Sequence, residues 1–244
     1  RRELDATLQK YLMDLESKTC PPGFWPIYKG ASFDLWCPDR NDYYAWGDPD
    51  KILPYLRKKQ ETRDKKENKT PLRERLPSEE ARISFRLISR ATDSRTMRVA
   101  LTPPCSFQQH SVQFVELFGG DKKDEAYLLG VLSSVPLDWY ARCFVEINFT
   151  LNYFNALPIP RPDRSSPLWQ RVVELSGRLA CPDDRYSEWA KAVGVSYGFL
   201  EPEDKQDKIY ELDALVAHLY GLSEPQVTHI FETFHQGWSY ENHL

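Results

Sequence analysis

The sequence predicts an α+β protein: a region of mixed or antiparallel sheet comes first, and a helical domain packs on it. Three observations lead there. Two short runs, Arg82 to Ser89 and Thr96 to Leu101, alternate apolar and polar residues with a period of two. From Asp124 onward, apolar residues recur instead at helical spacing. A strap of alternate prolines closing at Pro162 then separates one long helical stretch from three or four further helices.

The elements follow in order. Leu4, Leu8, Tyr11, Leu12 and Leu15 predict a helix from Glu3 to Lys18, stopped by Pro21 and Pro22. Aromatics crowd the stretch from Trp25 to Trp46, which reads as short strands joined by turns at Lys29-Gly30 and Pro38-Asp39. At that density the rings are read as core before they are read as base-stacking platforms. Asp48 can cap a helix with Pro49 at its first position. That helix is expected to reach about Lys59 against the resistance of Pro54, with a mobile hydrophilic segment from there to Glu80.

The two alternating runs predict a hairpin around Asp93-Ser94. Ile83, Phe85, Leu87, Met97, Val99 and Leu101 should form its buried face, and Arg86 and Arg98 should stand on an open opposite face. A third strand is expected from His110 to Leu117. Asp124 to Phe144 reads as a helix kinked or split at Pro136. The segment Phe149 to Pro162 is aromatic and Asn-rich and closes on the alternate prolines of Leu157 to Pro162, which favour an extended strap. Helices are expected over Pro167 to Ala180, Asp184 to Val193, Glu203 to Tyr220 and Ser223 to His235. Gly221 stops the third, and Ser223 with Gln226 starts the fourth as a capping box.

The formal net charge is −4, but it is unevenly spread. Between Arg57 and Arg98 fourteen basic residues face seven acidic ones, whereas from Asp163 to Leu244 seven basic face fourteen acidic. A basic middle and an acidic end suggest one surface for a polyanion and another for a different contact. Arginines along one strand face fit phosphates along a duplex, and their planar forks can read guanine edges. The competing structural reading pairs them with acids such as Glu79, Glu80 and Asp93.

Other chemistry is thin. The five cysteines have no zinc spacing and read as reduced thiols of a cytoplasmic protein. There is no Gly-rich phosphate loop, Gly-x-Gly-x-x-Gly turn, Gly-x-Ser-x-Gly elbow or His-Glu-x-x-His pair. Pro49-Asp50 followed by Asp64-Lys65-Lys66 is a loose nuclease-like pattern. No apolar stretch reaches the roughly 20 residues of a membrane helix, and no secretory leader is visible. The chain opens on Arg1 rather than Met, so it is expected to be part of a longer one.

The runs Arg82 to Arg90 and Ala91 to Met97 resemble the hairpin of the C-terminal recognition region in restriction-associated adenine-N6 DNA methyltransferases, of the type II-G or single-polypeptide type I-like kind. Other stretches agree in order: Tyr28-Lys29-Gly30 with Tyr43-Tyr44-Ala45, Leu128 to Ser134 with Asp138-Trp139, Phe154 to Pro160, and Glu211 to Gly221. The resemblance implies a linking helix over 1–18, a DNA target-recognition domain over 19–162 and a helical domain over 163–244. It also implies double-stranded DNA as partner, an upstream methyltransferase domain that binds S-adenosylmethionine, and a nuclease either linked or separate. The Asn-Pro-Pro-aromatic loop that grips a flipped adenine is absent, so this piece is expected to be non-catalytic and without a cofactor or metal of its own. Lys29, Arg86, Arg90, Thr92, Arg95 and Arg98 are the expected DNA-binding residues, those of the hairpin in a backbone or scaffold role. Base readout is expected near Lys29 and Gln108 to Gln113. The alternatives are a protein-interaction module of a phage-defence complex, docking through its acidic end, and a metal-dependent nuclease.

Overall fold

Two small sheets face one another, and helices cover the outer face of the second. The computed structural model describes residues 8, 11–13, 19–66, 74–89, 93–117, 119–144 and 148–234. The first sheet has the order β1 (Leu12–Met13), β3 (Tyr43–Gly47), β2 (Trp25–Tyr28), β6 (Phe107–Gln108). Its pairs are antiparallel except β2 with β6, which run parallel. The second is fully antiparallel, in the order β5 (Val99–Thr102), β4 (Arg82–Arg86), β7 (Val112–Phe114). The α+β class expected from sequence is the class observed. Most of the expected N-terminal helix lies outside the described residues; where it is described, Leu12 and Met13 instead pair with Gly47 and Trp46 as a strand.

The hairpin keeps its predicted period but not its predicted exposure. Ile83 pairs with Leu101 and Phe85 with Val99, and these four side chains point at the helices. The opposite face is covered too. Ser84 and Thr102 are fully buried and share a 2.7 Å hydroxyl contact, and Gln108 of the first sheet donates its amide to both. Arg82, 5% exposed, donates to the Ser106 carbonyl at 2.8 Å and lies over the Phe114 ring. Buried polar groups need such partners. The polar face is therefore a seam between two sheets. The second strand also begins at Val99 rather than Thr96. Thr96 and Met97 give their N–H groups to the Asp138 carboxylate and not to a ladder.

Helix α1 (Pro49–Lys66) runs one to two turns past its expected end. Ile52, Leu56, Gln60 and Asp64 recur every fourth residue on its buried side, and the first two join Leu8, Ile27, Ala45 and Phe107 in a core against the first sheet. The expected mobile segment falls partly outside the described residues; within them, a 3-10 turn at Pro77–Glu79 is formed. The predicted central helix is two: α2 (Lys122–Ser133) and α3 (Val135–Arg142), with Pro136 in the first turn of the second, where a missing N–H costs nothing. Before the proline strap, which is free of helix as expected, lies one short helix, α4 (Leu151–Asn155), whose Phe154 stacks on Phe85 at 4.5 Å.

Four helices close the chain: α5 (Pro167–Ala180), α6 (Ser187–Val193), α7 (Pro202–Leu219) and α8 (Glu224–Thr233). Gly221, at φ +67°, ends the third as expected, and the Gln226 side chain accepts the Ser223 N–H at 2.8 Å to start the fourth. Helix α5 lies hard against α2. A Cβ at Gly130 would stand 2.9 Å from Val172 Cγ1, and Ser176 Oγ donates to the Ala126 carbonyl at 2.6 Å. Hairpin residues Ile83, Phe85, Val99 and Leu101 thus share one core with Leu129 and Leu132 of α2, Val172 of α5 and Val216 of α7. This core runs across the boundary at 162–163. All five cysteines are free.

Candidate nucleic-acid interface

The seam between the sheets is closed at one end by the loop from Lys29 to Asp42, which joins β2 to β3. Its shape is fixed internally. Ser32 Oγ accepts the Lys29 N–H at 2.8 Å and donates to the Asp42 carbonyl at 2.5 Å, while Asp34 and Cys37 exchange backbone bonds of 2.8 and 3.0 Å. Trp36 and Asn41 accept left-handed backbone to make the turns, at φ +52° and +53°. The loop is also tied to distant parts. Asp39 receives Arg185 at 2.6 Å and the Tyr43 hydroxyl at 2.8 Å, and Lys205 Nζ donates to the Trp36 carbonyl at 2.7 Å.

This frame holds Asp34 in front of the hairpin. Three guanidinium groups meet its one carboxylate: Arg86 at 3.3 Å, Arg98 at 3.5 Å and Arg40 at 3.5 Å. Arg86 sits deepest. It donates to the Phe33 carbonyl, covers the Phe33 ring and is 12% exposed. Burial and the neighbouring Arg98 and Arg40 charges pull its pKa down while Asp34 pulls it up, although an arginine stays charged throughout. Asp93 lies within electrostatic reach of Arg86. Arg98 is 18% exposed and Arg40 50%. Beside them Lys29 pairs with Asp42 at 2.6 Å. The cluster carries more positive than negative charge, and its exposure rises outward from Arg86 to Arg40.

Arg95 goes the other way. It pairs with Asp138, which is fully buried, at 3.2 Å and donates to the Ser133 carbonyl at 2.5 Å. Arg142 reaches the same carboxylate from the other side at 3.4 Å. Its fork also takes the carbonyls of Asp93 and Ser94, both at 2.7 Å, and its guanidinium lies 4.1 Å from the Phe234 ring centre. The tip of the hairpin is thereby fastened to α3.

Of the six residues singled out in the sequence, then, Lys29, Arg86 and Arg98 are brought to one place, and Arg95 is turned into the interior. Arg90 and Thr92 lie outside the described residues. Gln108 and Gln113 are buried, the first bridging the sheets and the second donating to the His110 carbonyl at 2.9 Å. Among the described residues the hairpin arginines pair with Asp34 and Asp138, and of the three acids expected from sequence Asp93 acts electrostatically on Arg86. Sequence reading missed Asp34, Arg40, Arg142 and Asp213, whose carboxylate accepts the Val135 N–H at 2.8 Å and starts α3. Asp138 and Asp213 do stand inside the resemblance stretches. Asp34 and Arg40 sit in a loop with no periodicity to mark them.

Asp50 and Asp64 are fourteen positions apart on α1, which separates them by about 21 Å, too far to hold one cation. Among the described residues no group of three His, Cys, Asp or Glu side chains could hold a metal ion. None of their helices is long and apolar enough to cross a membrane.

No family model matches the chain, and no curated protein matches it. Among solved structures it is similar to the Type IIL restriction-modification enzyme MmeI in complex with DNA, at 13% identity and a TM-score of 0.45. The match covers 92% of this chain, which spans 33% of that one. A likeness this distant assigns neither family nor activity.

Proposed function

We propose that the chain is a sequence-specific duplex-DNA-binding segment, the target-recognition part of a restriction–modification adenine-N6 methyltransferase, with no catalytic role of its own. The observation that carries the reading is the group around Asp34, in which three guanidiniums share one carboxylate. A carboxylate can neutralise one of them. The remaining positive charge is held on the tied loop, on β4 and on the residue just before β5, where a phosphate oxygen would complete it at little ordering cost. Such contacts position a duplex without reading it. Arg86 and Arg98 supply the fixed charge, and Arg40 with Lys29 supply the accessible donors.

Fluorescence anisotropy with duplexes of unrelated sequence tests this. The intact chain should bind both, with log affinity falling linearly in log salt, and the joint Lys29→Ala, Arg40→Ala variant should lose about two from that slope. An unchanged slope with intact stability would contradict the reading. Under the same proposal the chain does not bind S-adenosylmethionine, and saturable calorimetric binding of that cofactor would count against it.

A further inference from the structure

A second basic surface lies on α1, away from the cluster. Trp25 pairs with Gly47 and Tyr28 with Tyr43, so the Lys29–Asp42 loop and the start of α1 lie at opposite ends of the β2–β3 ladder. Along α1, Lys51, Tyr55, Lys58, Thr62 and Lys66 follow at steps of three or four residues and form one stripe about 22 Å long. Lys59 borders it. Lys51, Lys58, Lys59, Thr62 and Lys66 are exposed, and Tyr55, Lys58, Lys59, Thr62, Arg63 and Lys66 line a shallow groove.

The acids of this helix are elsewhere. Asp64 belongs to the buried row with Ile52, Leu56 and Gln60, and pairs with Arg63 at 3.4 Å. Asp50 and Glu61 stand beyond the stripe, in the rows of Arg57 and Lys65. An exposed helix face that serves only solubility mixes charges of both signs at i,i+4. Here the stripe itself holds lysines and hydroxyls and no carboxylate. Lys51 is partly neutralised by Asp48 at 2.7 Å just before the helix.

We infer that this stripe is a second phosphate-backbone contact, lying along duplex DNA bound by the chain. The inference rests on the DNA-binding reading and adds a surface to it. Duplex DNA is the fitting partner because the stripe is long and cationic, and a duplex offers one charge per ~1.7 Å of axis. The contact carries no sequence information. Lysine ammoniums are point charges without the planar fork that reads base edges, and they serve phosphate oxygens equally at any sequence.

The test uses the intact chain in three forms: unaltered, Lys58→Gln with Lys59→Gln and Lys66→Gln, and Lys29→Ala with Arg40→Ala. Affinity for two duplexes of unrelated sequence is measured against salt, beside melting temperature. The lysine triple variant should melt as the unaltered chain does and lose about 2–3 from the salt slope, equally on both duplexes. The matching Lys→Arg triple should keep the slope. A triple variant with unaltered affinity and slope overturns the stripe while the cluster stands if the other variant is impaired. The converse result leaves the stripe and removes the cluster. No salt-dependent binding by the unaltered chain overturns both.

Discussion

Two aspartates draw on the arginines of the same hairpin, Asp34 on Arg86 and Arg98 and Asp138 on Arg95, and they do opposite things with them. Asp138 is fully buried and answers two guanidiniums and two backbone N–H groups. All of its partners belong to the chain's own fold, and the result is a knot between the hairpin tip and α3. Asp34 is about a third exposed and stands before three guanidiniums, the outermost half in solvent. The knot is enclosed, while the cluster has an open side. Residue type is the same in both. What separates the two is where the carboxylate sits and how many cations it must answer.

The comparison is broken most severely at the knot. Asp138→Asn leaves Arg95 and Arg142 charged and covered, and should destabilise the fold by about 3–5 kcal/mol, seen as a large loss in denaturation midpoint. A loss below 1 kcal/mol would mean that the carboxylate is dispensable there. Arg95→Ala follows. It removes one of the two guanidiniums facing Asp138, and a cost of about 2–4 kcal/mol is expected by chemical denaturation.

The order of these effects explains what sequence could and could not say. The hairpin's period was legible because Ile83, Phe85, Val99 and Leu101 must reach one core. Its exposure was not, because alternation says which residues share a face and not what covers it. Ser84 and Thr102 look like solvent residues until Gln108 of the other sheet meets them. Helices α5 and α8 were legible to within a residue or two because Pro167, Ser223 and Gln226 are local signals. The direction of Arg95 was not, since it depends on Asp138, which is remote in sequence. The same holds for the predicted division near 162–163. The proline strap is visible locally, but Gly130 against Val172 joins the two sides. We therefore propose that proteolysis between Leu157 and Pro167 yields fragments that stay associated, whereas dissociation on cleavage would restore two separable units.

Smaller effects sharpen the open side. Asp34→Asn removes the shared counter-charge. It should change stability by no more than about 1 kcal/mol, since the group is partly solvated, and should tighten duplex binding at low salt with a steeper salt slope. Weaker binding from this variant would mean that Asp34 positions the guanidiniums more than it neutralises them. Arg98→Ala is intermediate: a modest stability loss from its covered stem, joined to a slope reduction near one.

The central claim, that the arginines of the hairpin and of the loop before it are divided between a knot and a contact, is tested most directly by measuring the DNA salt slope and the denaturation midpoint together on Arg40→Ala and Arg95→Ala. The account predicts that Arg40→Ala keeps its midpoint and loses about one from the slope, while Arg95→Ala loses midpoint and, under conditions where it is folded, keeps the slope. A folded Arg95→Ala protein with a reduced slope, beside an Arg40→Ala protein with the unaltered one, would contradict it.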